Sequence, residues 1–283
     1  MPPAAAPVAL TRDVLLHHAQ ALPAAPQVLW GLCELLEDIN TDIDQIAAQI
    51  RVDSALSARV LRISNSAVYG GGSPAASIDE AVSRVGFAEI TRLVGIATVV
   101  GLTDRALKVY GITTTVLRES LLLHALASEA LAERAGLDAR AAYAGGLLRG
   151  VGLMVLDRVA QEKADTVAAF DPKAFPGYAA WEGGQFGLTS VEATTMILDE
   201  WRFPSELVAA MERHFVPRDD AMASVLHLAG AIVSSHRCAL IGEAKIWAAT
   251  PEMLFTLRMD EETYHEARIE AGKVFGRQRQ ALF

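Results

Sequence analysis

Apolar positions recur along this chain with helical spacing, and no segment reads as a convincing strand. Thr11 is placed to cap a first helix over Arg12 to about Ala21. Leu22-Pro23-Ala24-Ala25-Pro26 is expected to be extended, because proline disfavours a helical conformation in the residue before it. A second helix follows over about 27–38. A third starts at Thr41-Asp42-Ile43-Asp44 and ends near Arg51, and a fourth, capped by Asp53, covers about 54–67. Gly70-Gly71-Gly72-Ser73-Pro74 reads as a loop. Ser77-Ile78-Asp79-Glu80 has capping-box spacing, in which serine and glutamate each satisfy a free backbone N–H, and its helix stops at Gly86. The next helix, about 88–102, is almost wholly apolar and is therefore expected to be buried.

Thr103 to Thr113 carries few helix signals, and the pattern divides there. Two long helices follow, about 114–135 and 139–160, separated by Gly136. Residues 170–187 mix loop with a short helix. Further helices are expected over about 190–201, 205–215 and 220–237, with two more starting at Pro251 and near Asp260. The organisation expected is a disordered lead-in (1–10), an N-terminal helical subdomain (11–103), a second helical subdomain (113–240) and a helical C-terminal extension (241–283). Gly145, Gly146, Gly150 and Gly152 follow no strand, so their simplest role is close helix–helix approach.

Composition supports an all-α fold, since the chain is 52% hydrophobic, rich in Ala and Leu, and only 6% aromatic. Its 25 basic and 34 acidic residues give a net charge of -9, which repels phosphate backbones. No nucleic-acid partner is expected, although a small basic pocket for a nucleotide remains compatible with that charge. Met1 to Pro7 lacks the basic stretch of a secretory signal, and the apolar run near Val94 to Leu102 is too short to span a bilayer. A cytoplasmic location without membrane association is expected. Cys33 and Cys238 stand alone in apolar stretches and read as buried small hydrophobes.

No phosphate-binding loop, nucleophile elbow or H-E-x-x-H segment occurs. The seven histidines (His17, His18, His124, His214, His227, His236 and His265) form no H-x-x-x-H pair, and no His-Asp dipeptide exists. Surface or hydrogen-bonded core histidines are the simpler reading, with a metal site assembled from distant ones still open. The residues alone therefore point to a helical protein with no visible catalytic constellation, metal site or cofactor site.

Several segments, in order, resemble the HD-related output domain (HDOD) family over about Leu22 to Leu240. Leu22-Pro23-Ala24-Ala25-Pro26 is similar to its opening Leu-Pro-x-x-Pro, and 52–61 to its x-Asp-Pro-x-Leu-x-x-x-Leu-Leu helix. Arg62-Ile63-Ser64-Asn65-Ser66-Ala67-Val68-Tyr69-Gly70 resembles the family's Arg-x-x-Asn-Ser-x-x-Tyr-Gly, the most specific segment. Ser77-Ile78 through Gly86-Phe87, and Trp201-Arg202-Phe203-Pro204 followed by Met211-Glu212-Arg213-His214, match later segments.

The resemblance implies an HD-like helical bundle related to metal-dependent phosphohydrolases, and a regulatory role in bacterial signalling. Glu119 falls where a first ligand histidine would sit, and Arg149-Gly150 where the His-Asp pair would be. A guanidinium cannot ligate a metal and glycine has no side chain, so a non-enzymatic module acting on another signalling protein, such as a cyclic-dinucleotide or two-component module, is expected. A cryptic phosphohydrolase of nucleotides or cyclic dinucleotides and a non-hydrolytic nucleotide sensor are the alternatives. Arg62, Asn65 and Tyr69 are candidates for partner binding, against a purely structural use of Asn65 and Tyr69. Glu119 and Arg149 are expected either to pair with each other, with His124 on a different face of its helix, or to reach solvent separately.

Overall fold

The computed structural model describes residues 10–23, 25–70, 73–163 and 166–282. Most of the expected lead-in lies outside these residues, as do Ala24 and two glycines of the 70–74 loop; Leu10 is described and is buried. Among the described residues the chain is α-helical with two short 3-10 turns. Its one β-bridge, Leu107 to Ile112, closes a turn in the stretch between the two halves of the pattern.

The first helices are α1 (Arg12–Gln20), α2 (Ala25–Leu35), α3 (Ile43–Arg51), α4 (Ser54–Ser64), α5 (Ile78–Val85) and α6 (Phe87–Leu102). Thr11 and Asp53 cap α1 and α4 as the sequence predicts, each accepting from a backbone N–H three residues on. Helix α2 starts earlier than expected. Pro26 lies in its first turn, where a missing N–H costs no helical bond. The Ser77 hydroxyl accepts from Glu80 N–H at 3.2 Å, but the Glu80 carboxylate bonds Ala76 N–H at 2.7 Å rather than completing the box on Ser77.

Helices α2 to α6 pack on one another, whereas α1 lies against α9 and α11 of the later half. That half comprises α7 (Thr114–Ala135), α8 (Ala139–Leu148), α9 (Val151–Glu162), α10 (Tyr178–Phe186), α11 (Ser190–Glu200), α12 (Ser205–Arg213), α13 (Ala221–Ser234), α14 (Pro251–Thr256) and α15 (Glu261–Gln278). Helix α7 is the hub. It is enclosed by α6, α8, α13 and α15, and most of its residues are buried whichever way they point.

The expected single helix over 139–160 is two. Arg149 and Gly150 separate α8 from α9, with Gly150 at φ -87° and ψ 0°. Thr194 of α11 bridges the break, accepting from Gly152 N–H at 3.0 Å and lying 3.3 Å from the Arg149 carbonyl. The glycines permit this approach. A Cβ on Gly152 would stand 2.0 Å from the Ser190 carbonyl oxygen, and one on Gly146 would stand 2.8 Å from Ala125 Cα. No helix among the described residues is long and apolar enough to cross a membrane.

Candidate functional site

The break after α8 turns Arg149 into the interior, where the residue is 6% exposed. Its Nη1 donates to both carboxylate oxygens of Glu243 at 2.9 Å, and its Nη2 donates to the Ser120 hydroxyl at 3.3 Å. Glu243 arrives on a 3-10 turn, Ile241–Glu243, that follows α13. Four residues later, Trp247 places its ring 5.6 Å from the Arg149 guanidinium carbon, a cation–π arrangement.

Three histidines surround the same indole. His124 from α7, His214 at the end of α12 and His227 from α13 lie with ring centroids 5.7, 5.8 and 5.3 Å from that of Trp247. His227 is fixed as one neutral tautomer, because its Nδ1 donates to the His214 carbonyl at 2.9 Å while its Nε2 accepts from Ala248 N–H at 3.2 Å. Burial pushes His214 down to about 3. Burial, then the charge of Arg149, holds His124 well below the ordinary imidazole value. The His124 ring lies near the Leu226 backbone, but neither nitrogen makes a well-formed hydrogen bond. All three rings are therefore neutral near pH 7 and present no positive charge to Arg149.

The expected Glu119–Arg149 pair does not form. Ser120 and His124 are four residues apart on α7 and face Arg149 together; Glu119 is rotated about 100° from Ser120. Glu119 instead accepts from Arg279 Nε at 2.5 Å, just beyond α15. His124 indeed stays apart from Glu119, but it shares the site of Arg149, contrary to the expectation that it would not join.

A second buried carboxylate lies behind the first. Glu182 of α10 accepts from the Tyr110 hydroxyl at 2.8 Å and from the Ser190 N–H and hydroxyl at 2.8 and 3.1 Å. Burial pushes it up to about 7, with Glu243 among the smaller contributors.

The Arg62, Asn65 and Tyr69 signature occupies the far end of α4. Asn65 pins the glycine loop, since its side-chain N–H donates to the Ala75 carbonyl at 3.0 Å and its oxygen accepts from Ala75 N–H at 2.7 Å and Arg84 Nη1 at 2.9 Å. Tyr69 packs against the core with its hydroxyl buried and unpartnered. Of the three, only Arg62 is both exposed and without a side-chain hydrogen bond or ion pair among the described residues. Tyr69→Phe should therefore stabilise the protein by about 1 kcal/mol, by removing an unsatisfied buried hydroxyl. Arg62→Ala should leave the urea midpoint unchanged. A Tyr69→Phe loss above about 1 kcal/mol would show that the hydroxyl has a partner.

The sequence profile of the HDOD domain matches residues 22–217. The chain belongs to the HDOD family. A search of curated protein sequences finds no match. Among solved structures, an HDOD domain protein of unknown function from Geobacter sulfurreducens aligns with a TM-score of 0.53 at 18% identity, over 93% of this chain and 98% of that one. A Shewanella amazonensis protein, provisionally named a phosphohydrolase, gives 0.65 at 20% identity over 95% and 97%. A Marinobacter aquaeolei protein, provisionally named for signal transduction, gives 0.68 at 20% identity over 96% of this chain and 64% of that one. These likenesses establish the HD-like helical fold.

In this HDOD chain the buried site does not fit a catalytic metal. Arg149 offers no lone pair. Both oxygens of Glu243 are engaged by Arg149, and Glu119 is held by Arg279. Among the described residues no three His, Cys, Asp or Glu side chains are grouped as a metal would require. Glu243 and Trp247, which complete the site, lie beyond the matched span of 22–217.

Proposed function

We propose that this HDOD protein is a non-catalytic regulatory module that acts by binding another protein in bacterial signal transduction. One observation carries the reading. A buried guanidinium is ion-paired through Nη1 to its own carboxylate and covered by an indole, at the position where the family resemblance would put a hydrolase's metal ligands. With the site filled by internal partners, the surface is left to carry function. Arg62 at the signature end is the residue of choice for contact, since arginine is enriched at interface hot spots.

The test combines elemental analysis, a hydrolysis screen and partner capture. Purified protein should carry no stoichiometric iron, manganese or zinc, and should not turn over nucleotides or cyclic dinucleotides. Arg62→Ala should weaken capture of the native partner without altering the melt. About one or two bound metal ions per chain together with turnover would overturn the reading in favour of a phosphohydrolase.

A further inference from the structure

A groove of about 390 Å³ opens between α1, the C-terminal part of α9 and the exposed turn at 104–105. It shares no residue with the buried arginine site. Its walls carry His17, His18, Arg105 and Arg158, with Gln161 and a single lining carboxylate, Glu162. This is an unusual gathering of basic groups for a chain of net charge -9.

Neither arginine forms an ion pair with a carboxylate among the described residues, although Asp104 and Glu162 act on Arg158 from further away. Arg105 is exposed and makes no hydrogen bond or ion pair among the described residues. Arg158 is half-buried. Its Nη1 donates to the Ala21 carbonyl at 3.2 Å, which orients the guanidinium and leaves most of its five N–H donors unused. Both guanidiniums line the same groove; burial, then the nearby charge of Arg105, lowers the readiness of Arg158 to stay protonated, against the smaller opposing pull of Asp104 and Glu162. Glu162, the one carboxylate of the lining, lies 3.6 Å from His18 Nε2 and also acts on Arg158. The walls are firm because α1 is seated on both α9 and α11.

We propose that this groove binds a small, multiply charged oxyanion, a pyrophosphate or phosphate ester, between Arg105 and Arg158. Planar guanidinium forks match phosphate oxygens in pairs, and such charge-assisted bonds are the strong ones. An anion bridging the two arginines relieves their mutual repulsion, which Asp104 and Glu162 offset at Arg158 only from a distance. The protein's overall negative charge makes a diffuse, non-specific anion response unfavourable, so binding here has to come from the local pair.

The full chain, titrated calorimetrically with sodium pyrophosphate and separately with ADP, should show one saturable site for at least one probe. Arg105→Glu should weaken that binding by about tenfold or more, the loss of roughly one charge-assisted contact. Arg105 holds no other part of the fold, so the variant should melt as the wild type does. Lys173→Glu, an exposed charge reversal elsewhere, should bind as the wild type does. Equal affinity for the two probes would show that the phosphates suffice, and tighter ADP binding that the nucleoside also contacts the groove. Absence of saturable binding at millimolar concentration of both probes would overturn the proposal. Equal losses in Arg105→Glu and Lys173→Glu would overturn it too, by reducing the effect to bulk charge.

Discussion

Arg149→Met should destabilise the protein by about 3–5 kcal/mol, because it strands the Glu243 carboxylate in the interior with no cation opposite it. Both side chains are almost wholly buried, at 3% and 5% exposure, so water cannot take over the lost contacts. Glu243→Gln should also destabilise, by leaving the guanidinium with an amide in place of a charge. The double variant Arg149→Met with Glu243→Gln should recover much of the loss, since replacing both members of a buried pair removes the uncompensated charge. Glu119→Gln serves as the contrast. Its partner Arg279 is 54% exposed, so that substitution should cost under about 1 kcal/mol and should not rescue Arg149→Met. Urea melts of the wild type, the three single variants and the two double variants decide the matter. Near-neutral single changes at Arg149 and Glu243 would mean that the pair is solvated, and rescue by Glu119→Gln would mean that the partner has been misassigned.

The fold was largely legible in the sequence, and the site only in part. Caps at Thr11 and Asp53, the break between helices at Gly136, the helix start near Asp260 and the apolar 88–102 helix all follow from local rules, and local rules act within a turn or two. The break at Arg149-Gly150 was missed because the surrounding residues favour helix, and what imposes it is a tertiary contact with Thr194. Arg149 was legible as an anomaly at a family position, but its partner was not. Glu243 is 94 residues away, in a segment with no periodic pattern, and nothing local marks it. Trp247 had no signal either, although a tryptophan within a short irregular stretch needs somewhere to bury its ring. His214 and His227 were visible only as isolated residues until α12 and α13 brought them to the same indole. The expectation for Glu119 came from its assigned family position, whereas its own place on α7 turns it to Arg279.

Trp247→Ala should cost about 3 kcal/mol, at the low end for tryptophan truncation because the ring is only partly buried. The consequence specific to this site concerns the histidines. With the indole in place, burial keeps His214 at about 3 and His124 well below the ordinary imidazole range. Their ring resonances should therefore stay fixed between pH 8 and pH 5. Removing the indole leaves a space lined by three imidazoles and a guanidinium, which is polar enough to admit water. Hydration stabilises the protonated ring, so both values should rise and the resonances should begin to titrate within that window. The sign for stability follows. A histidine with a depressed folded-state value contributes fully above its unfolded value, near 6.5, and loses that contribution as pH falls toward the folded value. The variant, with smaller depressions, should lose less on the acid side than the wild type, so the difference between them should narrow from pH 7 to pH 5. Trp247→Phe keeps an aromatic plug and should hold the resonances fixed. If Trp247→Ala leaves the histidine signals unchanged, desolvation is provided by the helices alone and the indole is merely a cover.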